Sequence, residues 1–171
     1  MNSTPRTAAV QLRGPSGPIW ARLYRPPPGE DLQPPLLVVL SDDSEPEELA
    51  RRCEQLCLRG RLVVLTCPIP PIPETPTPDR PPADPPYDGT VAVPPYDVTV
   101  AVPPYDGAVA AARAVVGWAA DHAGELEADP ARLYLAGSGT AAAVAVEIAR
   151  LAADEGWPDL TLYDLLEGTP R

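Results

Sequence analysis

A chain of 171 residues with 24 acidic and 13 basic side chains, formal charge −11, is long enough to bury a real core and too acidic to favour nucleic acid as a partner. Of its 26 prolines, fourteen gather between 67 and 104, so a single domain over 1–171 with one long proline-rich loop is expected, not general disorder. Every basic residue is arginine, which leaves no lysine for a phosphate-gripping loop; no apolar stretch reaches membrane-spanning length, so the expected compartment is the cytoplasm with no membrane partner.

"AAVQLRG" and "PIWARLYRP", separated by "PSG", predict an antiparallel hairpin. "LLVVL" at 36–40 is continuously apolar, as suits a strand covered on both faces. In "SDDSEPEELARRCEQLCLRG" the pair Ser44 and Glu47 forms a capping-box pattern, Pro46 is tolerated in the first turn, and Gly60 is expected to stop the helix. Leu49, Cys53, Leu56 and Cys57 make one stripe of that helix. Two cysteines four apart can share a metal in principle, but on an apolar stripe they read as small core filler, and with Cys67 the odd count gives no disulfide framework. No metal or cofactor is therefore expected. "RLVVLT" at 61–66 is a second buried strand, and strand, helix, strand makes a parallel crossover unit.

From Cys67 the pattern turns to loop, and a nine-residue unit repeats: "PPYDGTVAV" at 85, "PPYDVTVAV" at 94 and "PPYDGAVAA" at 103. So short a unit buries little surface in three copies, and duplication inside a loop is the simple account. Only the third copy runs into a helix, "YDGAVAAARAVVGWAADHAGEL", with Asp106 as expected N-cap and Val109, Ala112, Val116 and Ala120 along one face. "RLYLA" is then a strand, "GSGT" an elbow, and Val144, Ile148 and Leu151 the packing face of a third helix. "LTLYDLL" predicts one more strand.

This order of elements resembles the α/β-hydrolase fold, and within it the hormone-sensitive-lipase-like esterases. The matching pieces are "GPSGPIWARLYRPPPG", "PPLLVVL", "PYDGAVAAARAVVGWAADHA", "DPARLYLAG" and "TAAAVAVEIARLA". The resemblance implies the N-terminal portion of an α/β-hydrolase sheet, a hairpin followed by parallel strands with flanking helices, in a truncated domain little more than half of the family's length.

The resemblance also implies acyl transfer to a serine on a strained strand-to-helix elbow. Laid without gaps from "DPARLYLAG" into the helix, the nucleophile's place falls on Gly139, with Ser138 one residue early. One residue at a sharp turn redirects a side chain, so Ser138 does not inherit the role. The oxyanion loop of the family follows the third strand, where this sequence has Ser41, Asp42, Asp43 and Ser44 in place of glycines. A carboxylate about 4 Å from an oxyanion, at an effective dielectric near 20, opposes it by about 4 kcal/mol, about a thousandfold in rate. As an alternative role, these acids suit the start of the helix that follows, where its dipole welcomes them. The family's acid and histidine come after the nucleophile; carboxylates follow Gly139, among them Asp154, Asp159 and Asp164, but the one histidine, His122, lies upstream near a helix end.

With nucleophile, oxyanion donors and base all departing from the pattern, the expectation is an esterase-like pseudoenzyme. Two other roles stay open: an interaction protein presenting the PPYD repeats and the P-x-x-P spacing of "PIPPIP", or half of a split hydrolase. A sheet that stops early exposes an edge, which predicts a homo-oligomer or a complementing chain.

Overall fold

A computed structural model describes residues 4–28, 33–70 and 104–170, with the side chains of 104 and 105 left aside. The first two PPYD copies, and the proline-rich loop from 71 to 103, lie outside the described residues.

The predicted hairpin is β1 (Arg6–Gly14) and β2 (Gly17–Arg25), antiparallel along their whole length. β3 (Pro35–Ser41) carries the apolar run, and both of its faces are covered: Leu36, Val38 and Leu40 belong to one core cluster, Leu37 and Val39 to the other. That two-sided burial is why the strand shows no alternation. Helix α1 (Pro46–Arg59) lays Cys53 and Cys57 on the second cluster, β4 (Val63–Pro68) runs parallel to β3, and α2 (Pro104–His122) and α3 (Ala141–Glu155) cover the other face. Between the last two helices, β5 (Asp129–Ser138) pairs parallel with the far side of β3. β6 (Leu160–Asp164) follows β5 in parallel, and a two-residue strand β7 (Thr169–Pro170), not foreseen from the sequence, returns antiparallel against its end. The sheet order is β1-β2-β4-β3-β5-β6-β7.

Two helix starts differ from expectation. Proline holds the φ of a first helical residue and disfavours helical geometry in the residue before it, so α1 begins at Pro46 and its N-cap is Glu45, non-helical at φ −137 and ψ 67, with no side-chain cap bond. Ser44 therefore stands one residue too early for the capping box, and both its N–H and its hydroxyl donate to Asp42 instead. Likewise α2 begins at Pro104, which places Asp106 inside the first turn, not at the N-cap. Its carboxylate still lies near the positive end of the helix. Gly60 does end α1, in right-handed geometry, and the left-handed residue is Arg61 at φ 51.

Burial pushes all three thiols up, Cys53 and Cys67 to about 12 and Cys57 to about 11. No metal-holding group of three or more His, Cys, Asp or Glu occurs among the described residues, and none of their helices is long and apolar enough to cross a membrane.

Candidate active site

The chain steps from β3 to β4 on one side and then crosses to place β5 on the other, so the direction of winding reverses between β3 and β5. In open α/β sheets the crevice outside the carboxyl ends of two such strands is where ligands sit. The register fixes what meets there. Leu40 pairs with Gly137 and Ser41 with Ser138, so the next residues, Asp42 and Gly139, leave the sheet side by side.

Gly137 and Gly139 make the elbow possible for different reasons. A Cβ on Gly137 would lie 2.5 Å from the Ala142 Cα and 2.6 Å from the Ala141 carbonyl carbon, so only glycine lets the start of α3 pass this close to β5. Gly139 holds φ +63, the left-handed conformation that strains any residue with a side chain. A Cβ there would come within 2.7 Å of the Asp42 carboxyl carbon. The carboxylate of Asp42 thus fills the space into which a side chain at 139 would project.

Asp42 is held there by four hydrogen bonds. Its Oδ2 accepts the Thr140 backbone N–H at 2.7 Å and the Thr140 hydroxyl at 2.9 Å; its Oδ1 accepts the Ser44 N–H at 3.1 Å and the Ser44 hydroxyl at 2.6 Å. The N–H of Asp43, itself at φ 58, donates to Ser41 Oγ at 2.9 Å. In the elbow of a serine hydrolase, the N–H after the nucleophile and N–H groups of the facing loop stabilise the oxyanion. Here the N–H groups in those places, Asp43, Ser44 and Thr140, are all engaged by the protein's own side chains. The expectation that Asp42 and Asp43 serve the start of α1 is corrected for Asp42: its carboxylate sits at the first turn of α3, where the positive helix end favours it.

Ser44 first, then the Thr140 N–H, hold the Asp42 carboxyl well below the usual carboxylate range. A value depressed by folding contributes stability that is present above the unfolded value, about 4, and is lost as pH falls through the folded one. Asp42→Asn is therefore expected to cost about 1 kcal/mol at neutral pH, a modest figure because the group is largely solvated. Urea unfolding should show the gap to the parent chain constant from pH 7 to 5 and closing below about pH 4. A gap unchanged at pH 3 would mean that charge is not what holds the loop.

The remaining sequence candidates are not brought together. Ser138 ends β5 opposite the buried Ser41, and no histidine among the described residues bonds its hydroxyl. His122 ends α2, where its Nδ1–H donates to the Trp118 carbonyl at 2.8 Å and its ring stacks on Trp118 at 4.5 Å. The chain passes from there into the start of β5, at the opposite end of that strand from the elbow, about 30 Å away at 3.3 Å per strand residue.

No protein-family model and no curated protein matches the sequence. Solved structures do match in shape. A hyperthermophilic esterase from the archaeon Pyrobaculum calidifontis superposes with a TM-score of 0.64 at 24% identity, covering 91% of this chain and 43% of that one. A thermophilic, thermostable carboxylesterase cloned from a metagenomic library gives 0.63 at 22%, covering 92% and 46%. Esterase LipW from Mycobacterium marinum gives 0.61 at 24%, covering 93% and 43%.

The fold is that of the α/β-hydrolases. The chain spans less than half the length of these esterases. Within the α/β-hydrolase fold, the crevice between β3 and β5 is the place of the nucleophile elbow, and in this chain that place holds a glycine and a carboxylate.

Proposed function

We propose that this chain is an esterase-like α/β-hydrolase homologue that does not hydrolyse esters, its elbow being closed by Asp42. The observation that carries this is the coincidence of one carboxylate with two requirements of acyl transfer. Asp42 occupies the volume of a side chain at 139 and consumes the Thr140 N–H that would face an oxyanion. A substrate carbonyl entering the crevice meets a fixed negative charge where its own developing charge would need donors. Ser138 offers no substitute: the one histidine, His122, is bonded to the Trp118 carbonyl, and an alcohol with no base among the described residues bonded to it is a poor nucleophile at neutral pH.

p-Nitrophenyl acetate and butyrate test this directly. Release of p-nitrophenol should match the uncatalysed rate, and Ser138→Ala should leave it unchanged. Turnover well above background that vanishes in Ser138→Ala would overturn the proposal.

A further inference from the structure

Helix α1 packs on the centre of its sheet face and leaves the hairpin side of that face open. Arg22 of β2 pairs with Ala9 on one side and with Thr66 on the other, and Thr66 pairs with Val39, so the Arg22 side chain stands in a row on the face that carries α1. Ala9, Trp20 and Arg22 are exposed there, Trp20 by 60%. Between them and α1 runs a groove of about 290 Å³, walled on the helix side by Leu49 and Ala50. Asp43, on the turn from β3 into α1, lines the same groove. Among the described residues neither Arg22 nor Asp43 forms an ion pair, so the groove holds a cation and an anion that are not joined to each other.

We propose that this groove binds a free α-amino acid with an aromatic side chain, its carboxylate on Arg22, its ammonium on Asp43 and its ring against Trp20. Charge selects a zwitterion. A lone anion is repelled by a protein of formal charge −11 and again by Asp43, and a lone cation is opposed by Arg22, whereas a ligand bearing both charges meets a partner for each. Span agrees. β4 lies between β2 and β3, so Arg22 and the end of β3 stand two strand spacings apart, about 10 Å, and an α-amino acid with a charge-assisted hydrogen bond at each end covers about 8 Å. Size limits the ligand to one such unit, since the volume of about 290 Å³ falls at the lower bound of small-molecule sites, roughly 300 Å³. The exposed indole selects the side chain, because Trp20 and Arg22 line the same groove from alternate positions of β2, and aromatic rings stack favourably beyond the area they bury.

The test follows the Trp20 indole N–H resonance of the full chain, assigned with Trp20→Phe. L-Phenylalanine at pH 7 should move that resonance with a saturable midpoint in the millimolar range or below. N-acetyl-L-phenylalanine lacks the positive charge and L-phenylalaninamide lacks the negative one, so each should need at least tenfold more ligand. Two substitutions at exposed positions then exchange these preferences. Arg22→Gln should weaken phenylalanine at least fivefold while improving the amide, which no longer faces a like charge. Asp43→Asn should weaken phenylalanine by a similar factor while improving the N-acetyl compound. A general loss of structure would weaken all three ligands together, so the opposite responses read charge pairing alone. Three outcomes would overturn the proposal: no saturable shift with phenylalanine, equal midpoints for the three compounds, which would reduce the contact to stacking on the indole, or variants that weaken every ligand alike.

Discussion

Gly137→Ala should lower stability by about 4 kcal/mol, a fall in Tm of roughly 12 °C for a domain of this size. The new methyl group would meet Ala141 and Ala142 backbone atoms, which no side-chain rotation can clear, so β5 and α3 must separate. Separation opens the contacts of Val144 and Ile148 with the sheet, and overpacking becomes loss of core. Gly124→Ala is the control, because nothing lies within 4 Å of a Cβ there and its change should stay within about 0.5 kcal/mol. Thermal unfolding followed by circular dichroism distinguishes the two. A drop under 2 °C for Gly137→Ala would mean that the strand and helix are not locked at this point.

Gly139→Ser is expected to cost about 2 kcal/mol, and about half of that cost should disappear if Asp42 is removed first. The substitution has two penalties of different origin. A side chain at φ +63 costs roughly 1 kcal/mol whatever surrounds it. The second penalty is eviction of Asp42, which rotates into solvent and leaves the Thr140 N–H and hydroxyl without their acceptor, again about 1 kcal/mol. In an Asp42→Ala background the eviction has already happened, so Gly139→Ser should then cost only the backbone share. A double-mutant cycle in urea should return a coupling of about 1 kcal/mol. A coupling near zero would show that the carboxylate and position 139 do not compete for the same space.

Much of the fold was legible in the sequence because its strongest signals are local. Two-sided burial writes itself as the unbroken run Leu36 to Leu40, and the stripe of Val144 and Ile148 declares which side of α3 meets the sheet. What failed did so through one-residue offsets. Ser44 and Glu47 have the spacing of a capping box, but Pro46 sets the helix start and moves the cap to Glu45. The closed elbow was legible only in halves. The glycine at 139 and the acids at 42 and 43 were each visible as departures from a pattern, yet their meeting depends on the pairing of β3 with β5. That pairing joins segments separated by the whole repeat region, and no local periodicity encodes it. One signal was available: loss of a side chain at 139 and gain of a short acid at the end of the neighbouring strand are complementary in volume and charge.

That complementarity makes the two positions interdependent. With a β-carbon at 139 the Asp42 carboxylate must turn outward into solvent; with glycine there, it fits the open space and accepts the Thr140 amide. Replacing Asp42 alone leaves position 139 bare, and replacing Gly139 alone sets its side chain against the Asp42 carboxylate, so a side chain in an uncontested crevice takes both changes.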